Sequence, residues 1–282
     1  LLLLTGAPSA RASYWPADDG TMPLAEEQAG HPAHDGGIAL PSQGGALVQG
    51  GTPLTLRTLY FPRYAQGNPG GNFYQAECYI LEAGNYYLDT DVTIQHPIII
   101  KGAVSLCLNG NTVTLQAAGK LGAVFKLVKG ALIDGTTGEA ITQASLNLYD
   151  CAGGGKITGG HGAQRYDTYS DNIFTEGGGV QIRGELNDKE SIIFNMYGGE
   201  IFGNSMDSNV NSGYSGGGGV CVDYAVFNMY GGKISNNSTI GNGGGVMLST
   251  GTFTMSGGEI SENRAGQSGG GIYAYGTTIH IS

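Results

Sequence analysis

The sequence predicts an all-β chain wound as a solenoid, a parallel β-helix with three short strands in each coil of about 26 residues. Three observations carry that expectation: a repeat of fixed period in the second half, alternation of apolar and polar residues within it, and 52 glycines among 282 residues. Glycine makes up roughly 7% of ordinary chains. So many glycines at set intervals mark tight corners in a repeat architecture.

The repeat is read from four aligned segments: Leu146-Asn147-Leu148-Tyr149, Phe194-Asn195-Met196-Tyr197, Phe227-Asn228-Met229-Tyr230 and Phe253-Thr254-Met255-Ser256. Gly-Gly follows the last three, then Glu200-Ile201, Lys233-Ile234 and Glu259-Ile260. Three residues after each Ile stands an Asn: Asn204, Asn237 and Asn263. A glycine triplet leading into Val or Ile then opens the next unit, at Val180, Val220, Val246 and Ile272, the last two intervals being 26 residues.

Each unit holds three alternating stretches, as in Val246-Met247-Leu248, Phe253-Thr254-Met255 and Glu259-Ile260-Ser261. Alternation turns one face of each stretch inward, and no single coil encloses a core, so neighbours must stack about 4.8 Å apart. Stacking places Phe194, Phe227, Phe253 and Ile279 in one interior column, Met196, Met229, Met255 and Ile281 in a second, and Ile201, Ile234 and Ile260 in a third. Asn204, Asn237 and Asn263 form a structural ladder whose amides bond along the axis, at a bend where Asn also tolerates left-handed backbone. Outside, Lys156, Glu200, Lys233 and Glu259 alternate in sign from coil to coil, the favourable arrangement on adjacent strands.

Upstream, Val92-Thr93-Ile94, Val104 to Leu108, Thr112 to Leu115 and Phe125 to Leu127 keep the alternation without glycine triplets, with Asn109-Gly110-Asn111 as a turn. These are the first, less regular coils. The chain therefore divides into residues 1–12, 13–75 and 76–282. Leu1 to Leu4 running into Ala10-Arg11-Ala12 reads as the remnant of a secretory signal peptide. Residues 13–75, rich in Gly and Pro, read as a leader or spacer from which short pieces such as Thr52 to Leu59 dock onto the next domain; His31 and His34 there are a weak metal signal. Ile279 and Ile281 take the places of Phe253 and Met255, so the solenoid is read as stopping within a coil.

The run Phe-x-Met-x-Gly-Gly, Ile-x-x-Asn and Gly-Gly-Gly-Val/Ile resembles repeats of bacterial cell-surface proteins with right-handed parallel β-helix folds. It is similar to polymorphic outer-membrane protein repeats, whose motifs are Gly-Gly-Ala-Ile and Phe-x-x-Asn. The triplet with Val and the Ile before x-x-Asn depart from those motifs. Leu106-Cys107-Leu108-Asn109-Gly110 and Leu148-Tyr149-Asp150-Cys151 look like opening coils of large bacterial surface proteins. Covering roughly Tyr86 to Ser282, the resemblance implies export and a surface role, commonly adhesion, and carries over no catalytic residue. The wider pectin-lyase-like superfamily shares this fold and includes enzymes, so fold alone does not decide activity.

Composition narrows the partners. A net charge of −10, with 13 Lys and Arg against 23 Asp and Glu, argues against nucleic acid, because phosphate contacts need cations. No run of 18 apolar residues is present, so no membrane-spanning helix is expected. With an apolar interior, function falls to the outer faces and loops. Tyr149, Tyr197 and Tyr230 form an outer column edged by Asn147, Asn195 and Asn228; sugar rings pack on aromatic faces while amides bond hydroxyls, and the same residues also serve as sheet packing. Insertions at His161 to Glu176 (with Arg165, Tyr166, Asp167, Tyr169 and Asp171) and Ser205 to Ser215 (with Asp207 and Tyr214) should emerge at one corner on adjacent coils, where binding loops or tolerated insertions both fit.

Arg183 and Asp223 pair in the same register, as a surface salt bridge or as the germ of a site. No Ser-His-Asp set, metal spacing or phosphate loop is apparent, so no catalytic residue, cofactor or metal is assigned. Cys78, Cys107, Cys151 and Cys221 allow three fully paired connectivities, and buried thiols fit as well. The expectation is an exported bacterial surface repeat protein that binds glycans or surface proteins. The alternatives are a polysaccharide lyase or glycoside hydrolase on the same fold, and a structural stalk.

Overall fold

The structure is a computed structural model describing residues 37–40, 42–43, 46–49, 52–62, 73–116, 122–135, 138–166, 173–175, 177–207 and 216–282. The signal-peptide remnant, His31, His34, Asp167, Tyr169, Asp171 and Tyr214 lie outside these residues.

From Ile98 onward the chain winds as a parallel β-helix. One coil runs through Val246–Ser249, Thr252–Met255, Glu259–Ser261 and the short Arg264–Ala265, then turns into Ile272–Tyr275. Each piece pairs in parallel and in register with its equivalents one coil before and after: Val220 with Val246, Phe227 with Phe253, Ile234 with Ile260, Ser238 with Arg264. The three stretches read from sequence are therefore joined by a fourth, two-residue ladder just past the Asn position. Ile98–Cys107 links the two long ladders, because its start pairs with Phe125–Val128 and its remainder with Ala144–Tyr149.

The interior columns stack as like residues. Phe194 and Phe227 lie 5.0 Å apart centroid to centroid, as do Phe227 and Phe253, and all three are fully buried. Burying an aromatic side chain of this kind is worth about 1.5–3 kcal/mol, and no coil gains it without a neighbour. Ile279, in the last coil, is 39% exposed.

Glycine shapes the corner before each Val. A Cβ on Gly219 would sit 2.6 Å from the Gly245 carbonyl oxygen and 2.8 Å from Ile234 Cγ2, so backbone packs on backbone there. The second glycine of each pair has a different reason: Gly199, Gly232 and Gly258 adopt φ of 79°, 79° and 85°. At the bend by the Asn ladder the left-handed residue is the one before each Asn, namely Gly203, Asn236 and Glu262, so the ladder asparagines hold that bend with their side chains.

The segment read as a leader contributes structure of its own. Leu56–Pro62 pairs antiparallel with Phe73–Tyr87, which pairs in parallel with Ile98–Cys107, and the proposed boundary at residue 76 falls inside that strand. Ile38–Ala39 adds to its far end beside Tyr86 and Tyr87. Leu40, Leu47, Leu54, Leu59 and Phe61 join the same apolar core as the coils. Phe61 also covers Lys126, whose ammonium lies 4.9 Å from the ring centroid and is fully buried on an outward strand position.

Candidate binding faces on the outer surface

The outer tyrosines follow the Leu148, Met196 and Met229 positions, and register brings them into one stack. Tyr149 and Tyr197 are 4.7 Å apart at 4° between planes; Tyr197 and Tyr230 are 4.8 Å apart at 14°. That spacing equals the coil spacing, so the rings use their faces on each other. Tyr149 and Tyr197 are only 8% and 5% exposed, while Tyr230 is half-buried next to Ser256, where the ring repeat ends. Burial pushes the Tyr149 hydroxyl up to about 12; Tyr197 is raised by burial first and then by the two flanking phenols.

At the other end of the stack Cys107 occupies the tyrosine position, opposite both Tyr87 and Tyr149. It forms a disulfide with Cys151 across a Cα–Cα distance of 6.3 Å. Among the connectivities open to the four cysteines the structure thus contains this pair, with Cys78 and Cys221 buried and outside disulfides.

Beside the tyrosines runs an amide chain. Asn228 Nδ2 donates to Asn195 Oδ1 at 2.9 Å, Asn195 Nδ2 to Asn147 Oδ1 at 2.8 Å, and Asn147 Nδ2 to Ser105 Oγ at 3.3 Å. An amide carries two donor hydrogens and two acceptor lone pairs. Asn195 spends one of each within the chain and keeps one of each, and it and Asn228 are half-buried rather than buried.

The second asparagine ladder is saturated at its central residue, Asn237. Asn237 Nδ2 donates to the Ile201 carbonyl at 2.9 Å and to Asn263 Oδ1 at 3.0 Å, while its Oδ1 accepts from Asn204 N at 2.9 Å and Asn204 Nδ2 at 3.0 Å. Asn204 repeats the pattern one coil back, donating to the Ile157 carbonyl and accepting from Gly160 N. Asn237 thus has no donor or acceptor left over for a ligand. On the strand between, Lys156 and Glu200 lie 3.1 Å apart and Lys233 and Glu259 3.4 Å apart, ion pairs running across the coils.

The strands that lead into the two insertions are neighbours. His161–Tyr166 pairs in parallel with Ser205–Asp207 on the next coil, His161 beside Ser205 and Ala163 beside Asp207. Tyr166 closes the first strand and pairs with Ile173. In later coils the same connection shrinks to Ile240, Gly241 and Asn242. At the start of this corner Ser205 Oγ and His161 Nδ1 lie 2.7 Å apart, a pair 44 residues apart in sequence that motif reading does not find. A hydroxyl beside an imidazole needs a third group to orient the ring before it acts as a nucleophile.

Arg183 and Asp223 form an ion pair at 3.6 Å, with the guanidinium side chain 8% exposed. Burial pushes the Asp223 carboxyl up, against the opposing pull of Arg183 and Ser249.

Among the described residues no helix is long and apolar enough to cross a membrane, and no group of three or more His, Cys, Asp or Glu is arranged to hold a metal ion. Compared with family models, with curated proteins and with solved structures, the chain matches none.

Proposed function

We propose that this chain is a repeat segment of an exported bacterial surface protein, and that it binds glycans along the outer face bearing Asn195, Asn228 and Tyr230. The observation that carries the reading is the contrast between the central residues of the two asparagine ladders: Asn237 is saturated and buried, whereas the half-buried Asn195 keeps a donor and an acceptor. A repeating row of amides suits a repeating polymer of hydroxyls. Tyr149 and Tyr197 are packed into the stack and nearly closed to solvent, so of the three the half-buried Tyr230 is the most accessible to a sugar. Export is supported by the disulfide, since such bonds persist in oxidising compartments. The resemblance to right-handed surface repeats points the same way.

Glycan-array binding tests the proposal. The chain should retain a subset of neutral glycans, and the double variant Asn195→Ala/Asn228→Ala should lose them while keeping its thermal transition. Retention unchanged in that variant would remove the outer face from the mechanism. A purely structural stalk is the second reading, favoured by the near-complete packing of Tyr149 and Tyr197, and it predicts no retention at all. Depolymerised product would point to the enzyme alternative.

A further inference from the structure

We propose a second ligand site, in the cleft between the N-terminal strands and the flank of the first coils, for a neutral pyranose of a glycan chain. The cleft has a volume of about 600 Å³, within the range of about 300–1,000 Å³ common for small-molecule sites. It does not depend on Asn147, Asn195 and Asn228, whose strands Ala144–Tyr149, Ile192–Met196 and Val226–Met229 give no residue to its lining.

Its lining includes three isoleucines, Ile38, Ile80 and Ile133. It also carries two ion-pair groups. Arg57 and Asp134 meet at 2.9 Å, brought together because Leu132–Ile133 pairs with Leu56–Pro62. Lys101 reaches Glu82 at 3.2 Å and Glu139 at 3.0 Å. Glu82 and Lys101 face each other where the pairing of Phe73–Tyr87 with Ile98–Cys107 shifts register between Glu82 and Gly84. Bulges re-aim side chains in this way.

The charges decide the ligand class. Three carboxylates outnumber two cations, and both cations are already engaged, so an anionic ligand meets net negative charge and must displace an ion pair to bind. A hydroxyl needs no such displacement. It donates and accepts from one atom, so it can bridge Arg57 and Asp134, or Lys101 and Glu139, using lone pairs and guanidinium hydrogens that the ion pairs leave over. A pyranose adds an apolar ring face to set against the isoleucines.

The test is methyl NMR of the full chain labelled at isoleucine, titrated with cellotriose, xylotriose, mannotriose, the N-acetylglucosamine trimer and trigalacturonate. At least one neutral trimer should move the Ile38, Ile80 and Ile133 methyls, with trigalacturonate at least tenfold weaker. Arg57→Ala and Glu139→Ala should each weaken the response about tenfold or more; both side chains sit about half or more exposed, so the fold survives their loss. Tyr230→Ala should leave these shifts unchanged, which separates this site from the outer face. Stillness of all three methyls with every neutral trimer, or tighter binding of trigalacturonate, would overturn the proposal.

Discussion

The Asn237 side chain ties together three successive coils: it donates to the Ile201 carbonyl behind it and to Asn263 Oδ1 ahead of it, at 2.9 and 3.0 Å. Its own oxygen accepts two hydrogen bonds from Asn204. Asn237→Ala therefore strands several buried partners, each costing about 1–3 kcal/mol. Denaturant unfolding should show a loss of at least about 2 kcal/mol, well above the effect of Asn228→Ala on the outer row.

Phe227 is packed between two other phenylalanines and fully buried. Phe227→Ala should cost about 3–5 kcal/mol, whereas Phe227→Leu should cost a fraction of that. Equal costs measured by urea denaturation would contradict the stacked column.

Gly219→Ala should fail for a different reason. Its methyl would meet the Gly245 backbone and Ile234, neither of which can yield without opening the coil. The expected result is insoluble or poorly folded protein, set against normal expression of Gly271→Ala, the same corner position two coils on, where the nearest atom to an added Cβ is Ile260 Cγ2 at 3.7 Å.

The tyrosine stack makes stability fall in alkali. Folded Tyr149 titrates near 12 and an unfolded tyrosine near 10, so the stack's contribution is complete below pH 10 and is lost as pH rises through about 12. Thermal melts over that window should fall more steeply in the parent than in Tyr149→Phe. Phenolate absorbance of the folded chain should lag behind that of the denatured chain.

Reduction of Cys107–Cys151 opens a loop of 44 residues. The loop-entropy model assigns such a crosslink about 4 kcal/mol. A melt in reductant should reveal most of that loss, and Cys107→Ser should be insensitive to reductant.

Much of the coil was legible because identical residue types recur at one interval: the Phe, Ile and Asn positions name their own partners. The outer tyrosine column was legible in the same way, but its consequence was not. Only the ring separations and burial show that Tyr149 and Tyr197 are packed into the stack and nearly closed to solvent. The disulfide was hidden because Cys107 belongs to the tyrosine column only once Ile98–Cys107 is placed against Ala144–Tyr149. Leu56–Pro62 was hard to place for another reason. It sits antiparallel against a strand outside the repeat, so no period announces Arg57 or its partner Asp134.

The glycine corner and the corner beside Ser205 stand next to each other in the glycine-rich coils, yet they respond oppositely to change. Where backbone touches backbone, at Gly219 and Gly245, no side chain can be added, and natural variation should be nearly frozen. Just before it, the connection ranges from three residues to a long excursion without disturbing the ladders on either side. Diversification of this molecule is thereby channelled to connections such as this one and the one between Val180–Arg183 and Ile192–Met196, where new recognition loops can be tried while the scaffold stays constant.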